Sequence, residues 1–117
     1  MKIDEVSKQL GLTKDTLRYY EKLGLIYAVP KSASGVREYD DLAIEHIKFI
    51  ICMRNTGLTL KQIKNYIDLY NQGEQTHDER LEILNAQRQY VIEQITTLNE
   101  SLEFLEYKIA RYHNQKN

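Results

Sequence analysis

Between Leu81 and Tyr112 the side chains step by three and four without slipping: Leu81, Leu84, Arg88, Val91, Ile95, Leu98, Leu102, Leu105, Ile109, Tyr112. Nine of these ten positions are apolar, and Arg88 is the exception. A repeat of 3.5 residues sustained this long specifies a coiled coil, because a straight helix would rotate the stripe away from its partner. Thr76-His-Asp-Glu79 carries the capping-box pattern that opens such a helix. Followed to His113, it runs for about 37 residues, roughly 55 Å at 1.5 Å per residue. Residues 1–75 are too few to cover so long a seam, so it requires a partner helix, most simply its own copy in a second chain. Leu81, Leu84, Val91, Ile95, Leu98, Leu102, Leu105 and Ile109 are the expected dimerisation contacts. Arg88 is left to snorkel, to pair across the seam or to fix its register. Residues 114–117 remain as a short tail.

At the other end, Gly11-Leu-Thr-Lys-Asp-Thr-Leu-Arg-Tyr-Tyr20 reads as a tight turn followed by a short helix. Thr13 is placed to cap it, its hydroxyl accepting from an otherwise unpaired backbone N–H. Leu17 and Tyr20 fall on the inward side. Lys14, Thr16, Arg18 and Tyr19 are left outward, two cations, a hydroxyl and a phenol within two turns. Such groups suit phosphate contacts, and Arg suits base edges as well. Asp4 to Leu10 reads as a preceding helix with Val6 and Leu10 inward. Helix, Gly-containing turn, helix is the helix-turn-helix pattern.

Residues 24–39 break the helical pattern, with two short apolar runs flanking Lys31-Ser-Ala-Ser-Gly35. They read as a small hairpin or loop, limited by Pro30, in the position of a wing. Arg37 and Tyr39 alternate with Glu38, so both lie on one face and could grip a phosphate together. Asp40 or Asp41 then opens a helix that Gly57 closes. Ile44, Ile47 and Ile51 form one apolar face, and Leu42, Phe49 and Met53 nearly the opposite one, the mark of a central core helix. Thr59-Leu-Lys-Gln62 is a further capping box, opening a helix with Leu60, Ile63, Ile67 and Tyr70 buried and Lys61 and Lys64 outward. The expectation is a mainly α chain: a winged helix-turn-helix DNA-binding head over 1–75, with its wing at about 24–39, then a long coiled-coil dimerisation helix over 76–113.

The formal charge of −1 does not advertise a nucleic-acid binder, but the split along the chain leans that way. The first 40 residues carry seven basic and six acidic side chains, and residues 76–117 carry five and seven. No stretch approaches the ~20 apolar residues of a membrane span. The N-terminus, with Asp4 and Glu5 and no apolar run, does not read as a signal peptide. A single Cys forms no internal disulfide, and no Cys/His spacing resembles a zinc site, so a reducing cytoplasm is the expected compartment. One Cys, no CxxC, no Gly-rich phosphate loop and no clustered carboxylates leave an enzyme without a catalytic constellation. No cofactor and no metal are expected. A pure coiled-coil adaptor would leave Arg18, Tyr19, Arg37 and Tyr39 idle.

In this order, the elements resemble a MerR-type transcription regulator. The residues that carry the likeness are Leu17-Arg-Tyr-Tyr-Glu-Lys-Leu-Gly-Leu-Ile26, Gly35-Val-Arg-Glu-Tyr-Asp40 and Met53-Arg-Asn-Thr-Gly-Leu-Thr-Leu60. Phe49-Ile-Ile-Cys-Met-Arg-Asn-Thr-Gly57 narrows it to the short, single-cysteine regulators that respond to aldehydes and thiol stress. The resemblance implies a homodimer joined through an antiparallel coiled coil, with two winged heads on two half-sites of a promoter whose spacer is longer than RNA polymerase prefers. The activated dimer would bend and untwist that spacer so that polymerase engages both elements. It implies that Thr13, Lys14, Thr16 and Arg18 face the groove, and that Tyr19, Tyr20, Arg37 and Tyr39 contact the backbone. For Tyr20 a core position with its hydroxyl at the surface is an equal alternative. Metal-sensing relatives carry Cys near the start of the dimer helix and beyond its end, where this chain has none. His77 and His113 alone make a poor metal site. The chain stops four residues after His113, so no appended drug-binding domain is expected.

Cys52 is the one side chain with distinctive reactivity. A free Cys is most often a small buried hydrophobe. Against that, Lys48 lies at i−4, where its charge would favour thiolate, and Cys52 falls between the two apolar faces of its helix. With the subfamily resemblance, a thiol modified by a small electrophile such as an aldehyde, or by an oxidant, is the expected switch. The alternative is the same regulator without a thiol sensor, controlled by a non-covalent ligand or by its concentration.

Overall fold

The computed structural model describes residues 1–26, 33, 35 and 38–115. Five α-helices follow in order: α1 Ile3–Leu10, α2 Lys14–Lys22, α3 Asp41–Asn55, α4 Leu60–Gln72 and α5 His77–Gln115, with a 3-10 turn at Glu74–Thr76 before the last. Among the described residues there is no strand. Most of the expected wing, Arg37 included, lies outside the described residues. The chain divides into two compact units, Met1–His77 and Asp78–Asn117.

In the first unit, local chemistry sets the helix ends. Gly11 takes a left-handed φ of 70° and closes α1 through its N–H to the Ser7 carbonyl at 3.0 Å. An L side chain is disfavoured at that φ, so glycine is required for so short a turn. The Ser7 hydroxyl donates across the turn to the Leu12 carbonyl at 2.5 Å. Asp40 caps α3 by accepting from the Ala43 N–H at 2.9 Å. Thr59 and Gln62 form the reciprocal capping box expected for α4.

The core joins Val6, Leu17, Leu25, Ile26, Tyr39, Ala43, Ile47, Ile50, Leu58, Ile63 and Ile67. It thus gathers one side of α1 and α2 with α3 and α4. The buried face of α3 is Ala43, Ile47 and Ile50, one stripe at i, i+4, i+7. Ile44, Ile51 and Met53 flank it half-buried, and Leu42 is exposed. This corrects the expected phase, in which Ile44–Ile51 and Leu42–Met53 were the two faces. A helix apolar on most sides gives periodicity little to work on. On α4, Ile63 and Ile67 are buried and Leu60 is half-buried, whereas Tyr70 is exposed. Lys64, expected outward, is half-buried and pairs with Asp68 at 2.5 Å.

The second unit holds α5 from its second residue onward, a helix of 39 residues in all. It is preceded by Thr76, which is buried and whose hydroxyl donates to the carbonyls of Leu69 at 2.5 Å and Gly73 at 2.9 Å. The 3-10 turn therefore leads into α5 with Thr76 tied back to α4. No described residue of α5 is buried. Along the seam Leu84 and Val91 are half-buried, and Leu81, Ile95, Leu98, Leu102, Leu105, Ile109 and Tyr112 are exposed.

Candidate nucleic-acid interface

Helix α2 begins as its sequence dictates. The Thr13 hydroxyl accepts from the Thr16 N–H at 3.1 Å and donates to the Thr16 hydroxyl at 2.8 Å. Thr16 is consequently half-buried and engaged with its cap rather than fully outward. Leu17 is buried and fixes the rotation of the helix. That rotation leaves Lys14, Asp15, Arg18, Tyr19 and Lys22 exposed on its outer face. Tyr20 is half-buried and packs against the core, so of its two readings the packed one describes this structure.

Two cations of this face, Lys14 and Arg18, are paired with carboxylates. Lys14 reaches back to α1 and pairs with Asp4. Hydrogen bonding and charge from Lys14 hold the Asp4 carboxyl below the usual carboxylate range. Arg18 Nη1 donates to Asp15 Oδ1 at 3.4 Å, one turn apart on the same face. Both carboxylates escape a search for basic and aromatic groups. The signal that finds Asp15 is its place as the second residue of a capped helix, where an acid favours the helix dipole.

Tyr39 departs from the expectation. Its ring is 1% exposed and belongs to the core, so a phosphate grip shared with Arg37 has no footing in this conformation. Arg37 itself lies outside the described residues. On α3, Cys52 is a free and exposed cysteine, and Lys48 one turn before it is exposed too.

Elsewhere on the head, Glu45, His46, Phe49, Tyr66 and Tyr70 line a cleft of about 280 Å³ between α3 and α4. Phe49 and Tyr66 stack at 4.7 Å, and His46 meets Tyr70 edge-on at 5.6 Å. Burial pushes the His46 imidazole below its ordinary range, against the opposing pull of Glu45 and Asp40. Among the described residues no group of three His, Cys, Asp or Glu side chains could hold a metal ion, and no helix is long and apolar enough to cross a membrane.

Comparison with known proteins agrees with this geometry. Residues 1–69 match the description "MerR HTH family regulatory protein", and residues 44–107 match "MerR, DNA binding". The HTH-type transcriptional regulator AdhR of Bacillus subtilis is 47% identical over 80% of this chain and 66% of its own length. An HTH-type transcriptional regulator of Haemophilus influenzae is 34% identical over 96% of this chain and 83% of its own. These relatives are regulators of transcription, as the lack of a catalytic constellation in the sequence led one to expect. Among solved structures, HiNmlR, a MerR family regulator lacking the sensor domain and bound to promoter DNA, superimposes with a TM-score of 0.89 at 33% identity. That match covers 98% of this chain and 91% of HiNmlR. A MerR family regulator from Listeria monocytogenes gives 0.86 at 36% identity, over 96% and 85%. With a capped helix α2 after the Gly11 turn, the α3–α4 pair behind it and family matches spanning both, the chain belongs to the MerR HTH family of regulatory proteins.

Proposed function

We propose that this protein is a homodimeric, sequence-specific DNA-binding regulator of transcription acting in the bacterial cytoplasm at the nucleoid. Residues 1–75 serve as the winged head, 76–113 as an antiparallel coiled-coil dimerisation helix and 114–117 as a tail. The observation that carries this reading is the outer face of α2, where Lys14, Arg18 and Tyr19 stand exposed on a helix locked by Thr13 and Leu17. Two such heads held at a fixed distance read two half-sites of a promoter, and RNA polymerase is the partner that profits when the spacer between its elements is bent and untwisted. Contacts to phosphate then offset the cost of deforming the DNA. The full chain should bind duplex DNA from its own upstream region with strong salt dependence, read by fluorescence anisotropy. Equal affinity for unrelated duplexes at every salt concentration would exclude a sequence-specific regulator.

The switch assigned to this dimer is Cys52. An exposed thiol on the central helix is accessible to a small electrophile such as an aldehyde, or to an oxidant. Bulk added there would press on the helix that carries Ala43, Ile47 and Ile50 into the core. The second reading, a non-covalent ligand, is favoured by the aromatic cleft between α3 and α4. Its volume of about 280 Å³ lies at the lower edge of the ~300–1,000 Å³ of small-molecule sites. In vitro transcription with wild type and Cys52→Ala, each with and without a reactive aldehyde, separates them. Activation that requires both aldehyde and Cys52 supports the thiol. Equal responses of the two proteins move the sensor to the cleft or leave control to protein concentration.

A further inference from the structure

Resting on the DNA-binding reading above, we propose that Asp15 is a specificity-determining residue: its carboxylate orients Arg18 and accepts a hydrogen bond from the N4 amine of a cytosine in the major groove. Three observations converge on it. Asp15 is the second residue of α2, and the N-terminal residues of a recognition helix are those that meet base edges. Its side chain is 96% exposed, on the face that also presents Arg18 and Tyr19. Its Oδ1 already accepts from Arg18 Nη1 at 3.4 Å. A carboxylate has two oxygens and accepts only, so Oδ2 is left for a second donor.

The chemistry selects that donor. In a groove lined by phosphates an anion is repelled unless it meets a proton donor, and among base edges the cytosine N4 amine fits an acceptor-only group. Arg18, steadied by the same carboxylate, presents its remaining N–H groups to guanine O6 and N7, the pairing its planar fork matches best. Side chains one helical turn apart stand about 5–6 Å from each other. The pair therefore reads neighbouring base pairs, guanine through Arg18 and cytosine through Asp15. Lys14, drawn back by Asp4 of α1, is left to the phosphates. The competing role for Asp15 is purely local, an acid in the first turn of a helix stabilising its dipole. That role changes stability and leaves base preference alone.

The two are separated by selecting from a randomised double-stranded DNA library with the full-length wild type, Asp15→Asn and Asp15→Ala at one salt concentration. Circular dichroism confirms that each variant keeps the wild-type helix content. The wild type is expected to require cytosine at one position in each half-site. Asp15→Asn is expected to move that position towards adenine, because an amide both accepts and donates and so fits adenine N6 and N7. Asp15→Ala is expected to lose about tenfold of discrimination there while binding unrelated duplex more tightly. A wild type that selects a motif which both variants reproduce unchanged overturns the role of Asp15 and leaves the DNA-binding reading standing. A wild type that selects no motif overturns both.

Discussion

Tyr39 and Met1 pair through their backbones: the Tyr39 N–H donates to the Met1 carbonyl at 2.6 Å, and the Met1 amine donates to the Tyr39 carbonyl at 2.9 Å. The amine also meets the Glu38 carboxylate at 3.2 Å. These bonds fasten the segment leading into α3 to the start of α1, and they seat the Tyr39 ring in the core beside residues such as Val6, Leu17 and Ile47. Tyr39→Ala is therefore expected to destabilise the protein by about 3–5 kcal/mol, the range for losing a buried ring. Tyr39→Phe, which keeps the ring, should lose far less. Denaturant unfolding at one fixed protein concentration measures both, since the stability of an oligomer depends on concentration. A Tyr39→Ala protein as stable as wild type but impaired on DNA would return this side chain to the surface.

Lys14 is shared between Asp4 and any phosphate that approaches. Removing the competitor should help the phosphate. Asp4→Asn is expected to raise affinity for non-specific duplex severalfold at low salt, the gain fading as salt screens it. Lys14→Ala should weaken binding to all sequences alike and lower the slope of log K against log salt by about 0.9 for each head bound. Anisotropy titrations over a series of salt concentrations read both effects. An unchanged slope in Lys14→Ala would place this side chain away from the backbone.

What the sequence made legible was whatever local chemistry decides. Thr13, Gly11, Asp40 and the Thr59–Gln62 box each act within four residues, so cap and turn could be read from neighbours alone. The step of the α5 apolar positions was equally readable, being a property of one helix. Tyr39 was not readable, because what seats it is a pairing with a residue 38 positions away. The alternation that grouped it with Arg37, a residue outside the described ones, said nothing of which way the Tyr39 ring turns. The phase of α3 was hidden by an excess of apolar residues, and Asp15 by its sign. A search for groups that attract phosphate passes over the carboxylate that sorts bases.

His46 gives the head a pH dependence. Burial lowers its folded-state value below the ordinary 6.5, and the nearby Glu45 and Asp40 carboxylates only partly offset this. Between the lowered folded value and 6.5 the unfolded chain binds more protons than the folded one, so stability rises with pH across that window. The contribution is whole above 6.5, declines as pH falls through the window and levels off below the folded value. His46→Gln should flatten this segment of the stability profile while leaving the acid limb set by carboxylates such as Asp4. A wild-type profile already flat from pH 7 down to pH 5 would mean that burial does not hold the imidazole neutral.

The seam of α5 bears directly on assembly. Leu98 is 67% exposed in the single chain, and Leu102 and Leu105 are open beside it. In a two-stranded coiled coil such side chains are buried, each contributing about 1.5–3 kcal/mol. A seam substitution appears once in each chain, so Leu98→Asp removes about 3–6 kcal/mol from the dimer and adds the cost of burying a carboxylate. That corresponds to a dissociation constant at least about a hundredfold weaker. Sedimentation equilibrium should find wild type dimeric at micromolar concentration and Leu98→Asp largely monomeric. Arg88→Leu, which completes the apolar repeat, should act in the opposite direction, and a loss of unique register in that variant would assign Arg88 the task of aligning the helices. On DNA, the Leu98→Asp head should retain contacts to a single half-site, while affinity for the paired site collapses because the second head is no longer tethered. A wild type that stays monomeric at these concentrations, or a Leu98→Asp protein that remains a dimer, would remove the coiled coil as the joint between the two heads.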